Sequence, residues 1–250
     1  MSVSLDGTSS PLRSLAAALI VAVLGIAVGY ALVLGSLMAV RAGGVRITPL
    51  GFVVASLVLL QGVAFGGVAL GYLRYRGLTA AYLGVRLPSL QDAGTVVVGY
   101  VVAIAIAISS AVFVSLAGIQ AGSNQAAELG AANPEVLLLL IPASFLLIGP
   151  GEELLFRGVV QNRLRETFDA VPAVAIASAI FASIHFVALS GGTGARVVSI
   201  VILFFPSLVF GAVYEFTENL VVPALVHGAY NATLFTLLYV AIRFGQMQPM

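Results

Sequence analysis

Long apolar stretches alternate with short polar segments along most of the chain. A helix that crosses a bilayer needs about 20 mostly apolar residues, and seven stretches reach that length. The pattern predicts spans at Ser14–Val40, Leu50–Leu73, Thr95–Ile119, Glu135–Gln161, Ala170–Ser190, Val197–Glu215 and Leu220–Ile242. We therefore expect an all-α, polytopic integral membrane helical bundle with about seven (six to eight) transmembrane helices.

The segments between these stretches are too short to form a soluble domain, so we expect one membrane domain. Residues 1–134 hold about three transmembrane helices and their loops, and residues 135–250 hold about four. The first apolar run exceeds the roughly 7–15 residues of a signal-peptide core and predicts a retained span. Leu78–Leu90 has mixed polarity and is predicted to lie along the interface rather than cross.

Loop arginines favour a cytoplasmic N-terminus, because more of them then fall on the cytoplasmic side. We expect a multi-pass protein of the cell (plasma) membrane. Gly62, Gly66, Gly67 and Gly71 have the small-xxx-small spacing that predicts helix packing. The spacing leaves the oligomeric state open.

Composition supports the membrane interpretation and excludes several kinds of site. The chain is 60% apolar and only 8% charged, with a mean hydropathy of +1.12. The absence of cysteine excludes disulfides, thiolate zinc sites and cysteine nucleophiles. A formal net charge of +1 provides no basic field for nucleic acid, so no nucleic-acid partner is expected.

Ionisable residues interrupt the fourth stretch at Glu152, Glu153 and Arg157. Each charge at the centre of a membrane helix costs roughly 3 kcal/mol, so these groups must face protein or water. Glu153 and Arg157 are four residues apart on one helix face, in the favourable acid-first order. Glu152 is left without a local partner. Pro150 predicts a kink or a restart of the helix just before them.

The two histidines of the chain lie in two other stretches. Phe181 precedes His185 by one helical turn, and His227 precedes Asn231 by one turn. Polar groups at membrane depth are costly, so three such places in one chain indicate a shared functional site.

An unpaired carboxylate, two imidazoles and an amide suit a hydrolase that activates water. A glutamate in an apolar cavity can serve as a general base, and amide or imidazole groups can stabilise an oxyanion. Glu152, His185 and His227 could instead bind a divalent metal such as zinc. The residues alone leave both options open.

These motifs resemble those of the CPBP family of intramembrane proteases, which includes the type II CAAX prenyl endopeptidases. EExxxR (Glu152, Glu153, Arg157), FxxxH (Phe181, His185) and HxxxN (His227, Asn231) occur in the family's order. The likeness covers about residues 141–238, and Tyr214–Asn231 resembles the family's approach to its last motif. Phe216 and Glu218 stand where relatives often carry a basic residue and a glycine.

The resemblance implies that residues 135–250 form a CPBP-like catalytic core. By matching position, Glu152 and His185 would activate water, while His227 and Asn231 would bind the oxyanion. Glu153, Arg157 and Phe181 would support the site. The implied mechanism is glutamate-dependent or metallo-type, and the implied substrate is a membrane-attached peptide or a lipidated, for example prenylated, protein in the lipid bilayer.

Two other functions use the same residues. A membrane transporter could employ the buried acid and histidines as a proton relay. A non-catalytic scaffold or immunity-type protein could keep them for packing against a partner helix.

Overall fold

The computed structural model of the protein describes residues 10–245. Its longer elements are α1 (Pro11–Ala42), α2 (Pro49–Arg76), α3 (Leu90–Leu116), α4 (Gln125–Ala132), α5 (Pro134–Arg165), α6 (Ala170–Ile184), α7 (Thr193–Thr217) and α8 (Val221–Phe244). The shorter elements are strands β1 (Ser123–Asn124) and β2 (Leu189–Ser190) and two 3₁₀ turns, Ala80–Leu83 and His185–Ala188.

Seven helices in this part of the chain are long and apolar enough to cross a membrane. They are α1, α2, α3, α5, α7, α8 and α6 together with its 3₁₀ extension, so the predicted all-α membrane bundle with seven spans is confirmed. Their boundaries differ from the predicted ones by a few residues. Asp92 forms a capping box with Ser89 in the first turn of α3.

Wide π-helical turns interrupt two of the spanning helices. They occupy Leu57–Ala64 in α2, and Ser144–Ile148 and Phe156–Gln161 in α5. The helix continues through Pro150, because the π turn just before it accommodates a residue that has no N–H to donate. The predicted restart at Pro150 is therefore a change of helix type within one continuous span. π turns are frequent at functional sites.

Two short segments of regular structure were not expected in the connectors. Residues 120–134 contain β1 and α4, and β1 pairs antiparallel with β2 through Ser123–Ser190 and Asn124–Leu189. A two-residue strand has no hydrophobic period, so sequence pattern could not indicate it. The pairing joins the α3–α4 loop to the segment that follows His185.

The turn between α7 and α8 is tight and left-handed. Glu218 has φ 47°, and it is the only non-glycine residue with positive φ among the described residues. The backbone N–H of Leu220 donates to the carbonyl of Gly84 at 3.1 Å. Glycine adopts this conformation without steric cost. Here a glutamate adopts the same turn.

A charged cluster closes the end of the bundle where α2 and α5 finish. Arg76 and Arg163 both pair with Glu166. Tyr82 donates a 3.1 Å hydrogen bond to Glu166, and burial raises the pKa of the Tyr82 hydroxyl. Leu83 beside it is buried in the protein core. Leu78–Leu90 thus packs through a short 3₁₀ turn and does not cross the membrane.

Candidate active site

Glu152 and Glu153 lie inside the bundle, on the α-helical turn between the two π turns of α5. Glu152 is 6% exposed and Glu153 is fully buried. The charges are therefore enclosed by protein, as their cost at membrane depth requires. Carboxylates in such a place require partners from neighbouring helices.

Arg157 neutralises Glu153 and ties α5 to α7. Its Nη1 donates to Glu153 Oε1 at 3.0 Å, and its Nη2 donates to the carbonyl and hydroxyl oxygens of Ser207 at 2.9 and 2.7 Å. The guanidinium also lies 4.8 Å from the centre of the Phe181 ring and 5.6 Å from that of Phe210. The i, i+4 pairing predicted from the sequence is present. A buried pair of this kind requires such additional contacts to offset desolvation.

His227 on α8 contacts both glutamates. Its Nδ1 lies 2.7 Å from Glu153 Oε1, and its Nε2 lies 3.7 Å from Glu152 Oε2. Phe210 stacks on the imidazole at 4.6 Å between ring centroids with an interplanar angle of 18°. With Glu153 ionised, the Nδ1–H of His227 donates to it. The other nitrogen is then directed toward Glu152.

Phe181 connects the two histidines. Its ring centroid lies 4.7 Å from that of His185 and 5.8 Å from that of His227. His185 begins the 3₁₀ turn after α6, and its Nδ1 lies 2.8 Å from the Phe181 carbonyl oxygen. Because a carbonyl only accepts, that nitrogen carries the proton and Nε2 has a free lone pair.

Asn231 lies one turn after His227 on α8 and is partly buried. Its side-chain amide makes no hydrogen bond to any other residue in 10–245. The structure thus joins Glu152, Glu153, Arg157, Phe181, His185 and His227 through direct contacts. Asn231 lies on the same face of α8 as His227, one helical turn further along.

Gln61, in the π turn of α2, is a site residue that the sequence interpretation missed. Its Nε2 donates to Glu152 Oε1 at 2.8 Å. The available signal was a single amide within an otherwise apolar stretch of the second span. Glu152 therefore has one satisfied oxygen, while its Oε2 has no hydrogen-bond partner.

Three glycines let the helices approach closely enough to make these contacts. A Cβ on Gly151 would lie 2.2 Å from the backbone oxygen of Gln61, and one on Gly149 would lie 2.7 Å from that of Ala224. A Cβ on Gly228 would lie 2.9 Å from the backbone oxygen of Ser144. Backbone contact at small residues is characteristic of membrane helix packing.

The candidate metal ligands Glu152, His185 and His227 do not converge into a three-ligand set. Among residues 10–245, no group of three His, Asp or Glu side chains has the spacing to hold a metal ion. The arrangement does not fit a metal, and we derive no step through one.

Comparison with protein families identifies the part of the chain that holds the site. Residues 133–233 match the family described as type II CAAX prenyl endopeptidase, Rce1-like. This match supports the resemblance to the CAAX proteases that the three motifs indicate. No curated protein and no solved structure matches the chain.

The Rce1-like segment contains every site residue predicted from the motifs. It begins at the start of α5 and ends within α8, so it includes the whole of α6 and α7. Gln61 lies outside it and comes from α2. The chain is thus an integral, multi-pass membrane protein, and Gln61 of α2 reaches into the matched segment to bond Glu152.

Proposed function

We propose that the protein is an intramembrane endopeptidase in which Glu152 is the general base. The observation that carries this proposal is a carboxylate that is 6% exposed, with Oε1 fixed by Gln61 and Oε2 unpartnered 3.7 Å from His227. A gap of that size between two polar groups suits a bridging water molecule.

In the proposed reaction, Glu152 takes a proton from water while the water oxygen attacks the scissile carbonyl carbon. The free Nε2 of His185 accepts the second water proton as a hydrogen bond and orients the nucleophile. The tetrahedral oxyanion accepts hydrogen bonds from His227 and Asn231. The C–N bond then breaks, and Glu152 returns the proton to the leaving amine.

The ion pair of Glu153 and Arg157 positions His227 in this scheme. Glu153 holds the Nδ1–H and stabilises the imidazolium that can donate from Nε2. Arg157 donates to Glu153 at 3.0 Å and balances its charge. Phe181 and Phe210 fix the planes of the rings between them.

We propose a membrane-attached peptide or lipidated protein as the substrate, with CAAX-type prenylated chains as the first class to examine. The site lies among spanning helices, so a scissile bond must reach it from the membrane or its boundary. The family description supports the prenyl class. We place the enzyme in the plasma membrane and treat residues 135–250 as its catalytic core.

The proposal is tested by cleavage with wild type, Glu152→Gln and His185→Ala in liposomes. Substrates are a prenylated CAAX peptide and its unprenylated form, and new termini in host membranes are recorded by mass spectrometry. Loss of a general base lowers rates by about 10²–10⁴-fold, so Glu152→Gln should lower kcat within that range. Glu135→Gln is the matched control, because Glu135 is exposed on the same helix.

Full cleavage by Glu152→Gln would refute the assignment of the base. Cleavage of both peptides at equal rates would refute prenyl recognition and leave the protease assignment intact. No new termini with wild type would favour the transporter and scaffold interpretations.

A further inference from the structure

Polar side chains form a continuous ladder between α5 and α7 that leads away from the site. Arg157 bonds to Ser207, Gln161 Nε2 donates to the carbonyl oxygen of Gly211 at 3.1 Å, and Arg165 pairs with Glu215 at 2.7 Å. Each pair is separated by 50 residues, so successive rungs advance one turn on both helices. We call this ladder, with Ser178 of α6 beside it, the polar seam.

The seam runs from the buried site to the end of the bundle. The side chains of Glu153 and Arg157 are 0% and 1% exposed, whereas those of Arg165 and Glu215 are 36% and 27% exposed. Gln161 lies between them, is fully buried, and also contacts Glu215 at 3.4 Å. Polar groups therefore continue from the active site to a surface that water reaches.

Some of the buried polar atoms along the seam have no hydrogen-bond partner. Among residues 10–245, the buried side-chain atoms without a hydrogen-bond partner include Arg157 Nε, Gln161 Oε1 and Ser178 Oγ on the seam, and Glu152 Oε2 and Glu153 Oε2 at its inner end. Buried polar groups are rarely left unsatisfied, and ordered water is their usual partner inside a protein. If these side chains served only to pack the helices together, we would expect all of their buried hydrogen-bonding atoms to be paired.

Glycine at 211 lets the α7 backbone lie close to the polar side chains of α5 and α6. A Cβ there would lie 2.9 Å from Gln161 Oε1, 2.9 Å from Val174 Cγ1 and 3.7 Å from Ser178 Oγ. The two unpartnered oxygens, Gln161 Oε1 and Ser178 Oγ, are thus both close to the same residue of α7.

We propose that the polar seam conducts water from the membrane boundary at Arg165 and Glu215 to the active site. The inference rests on the proposed function, because hydrolysis consumes one water molecule for each peptide bond and lipid cannot supply it. Water enters between Arg165 and Glu215, passes Gln161 and Ser178, and reaches the carboxylates beside Arg157. Gln161 and Ser178 are lining residues and do not touch substrate.

The chain has no cysteine, so single thiols can report water at chosen positions. Ser178→Cys replaces one oxygen by sulfur within the seam. Ala179→Cys is its matched control, because Ala179 is the next residue of α6 and is exposed at the outer face. Gln161→Cys with the exposed Ala212→Cys is a second pair on α5 and α7.

Each variant is placed in lipid nanodiscs and treated with Ag⁺, which blocks thiols that it reaches. Free Ag⁺ is then removed, the protein is denatured, and the thiol that still reacts with maleimide is measured. Reactive thiolate forms in water and not in hydrocarbon, so both seam thiols should react at least about 10-fold faster than their controls. A seam thiol that reacts no faster than its lipid-facing control would overturn the proposal. If the melting temperature shows that Ser178→Cys does not fold, Gln161→Cys decides alone.

The same labelling is repeated in the Glu152→Gln background. Water access does not depend on cleavage, so the ratio of seam to control rates should stay within about twofold of that in wild type. A ratio that collapses in this background would also overturn the proposal. If the protease assignment were wrong, wild type would show no cleavage in the liposome assay, but the ratio of seam to control labelling rates would not change.

Discussion

Arg157 is the side chain on which most of the site depends. It is 1% exposed and donates to both Glu153 and Ser207, so removing it leaves a buried carboxylate without its counter-charge. Breaking a buried ion pair by removing one partner costs about 3–5 kcal/mol. Arg157 therefore contributes both to the stability of the protein and to the geometry of the site. A double substitution can separate these two contributions.

We predict that Arg157→Met destabilises the protein by about 3–5 kcal/mol and abolishes cleavage. The double variant Glu153→Leu with Arg157→Met should recover most of the stability, because replacing both charges by apolar groups is often neutral. It should not recover cleavage, since His227 then lacks its partner at Nδ1. Unfolding in detergent and cleavage in liposomes measure the two effects.

A double variant as unstable as Arg157→Met would contradict this account of the pair. Recovery of cleavage in the double variant would show that Glu153 does not position His227.

At the scale of the helices, the close approach of α2 and α5 at Gly151 delivers Gln61 to Glu152. A Cβ on Gly151 would meet backbone, which cannot move aside as a flexible side chain can. By contrast, a Cβ on Gly67 of α2 would meet nothing within 4 Å. The two glycines thus provide a substitution and its control.

We predict that Gly151→Ala separates α2 from α5, lowers the free energy of unfolding by about 1–3 kcal/mol through overpacking, and reduces kcat. Gly67→Ala should leave kcat unchanged within error and should leave the free energy of unfolding unchanged or slightly higher. The measurements are thermal unfolding in detergent and cleavage in liposomes. Equal behaviour of the two variants would show that the contact at Gly151 does not matter for the site.

The helices were predictable because each spanning segment carries its own signal of length and hydropathy. The pairing of Glu153 with Arg157 was predictable for the same reason, since it depends only on spacing within one helix. The contacts of Gln61, Ser207 and Phe210 were not, because they depend on how separate helices pack. The π turns were not predictable either, because no characteristic spacing of apolar residues marks them in the sequence.

The packing glycines show the same limit. Gly62, Gly66, Gly67 and Gly71 have the spacing expected for helix contact, yet a Cβ on the last three meets nothing within 4 Å in the described residues. Around the site, the close backbone contacts are instead made by Gly149, Gly151 and Gly228, which lie on α5 and α8. Only tertiary structure distinguishes a glycine that packs from one that is exposed.

Over the whole molecule, seven spans place the start of α1 and the end of α8 on opposite sides of the membrane. The end of the bundle that holds Arg76, Arg86, Arg163 and Arg165 is also the end where α1 begins. Arginine-rich loops favour the cytoplasm, so this end is predicted to be cytoplasmic. The cysteine-free chain allows a direct test.

We predict that Ser10→Cys is protected from an impermeant maleimide in intact cells, whereas Gly245→Cys is labelled. Both thiols should react after the membrane is permeabilised, which is the control. The reversed pattern would contradict the orientation only. Labelling or protection of both in intact cells would contradict the seven-span arrangement.

The buried ion pair in α5 also has a consequence for how the protein is made. The groups that satisfy it come from later in the chain: Ser207 follows Arg157 by 50 residues, and His227 follows Glu153 by 74. At synthesis rates of about 5–20 residues per second, those partners emerge roughly 3–15 s after α5. During that interval each charge of α5 faces an insertion cost of roughly 3 kcal/mol. We therefore expect α5 to become stable in the bilayer only after α7 and α8 have been synthesised and have packed against it.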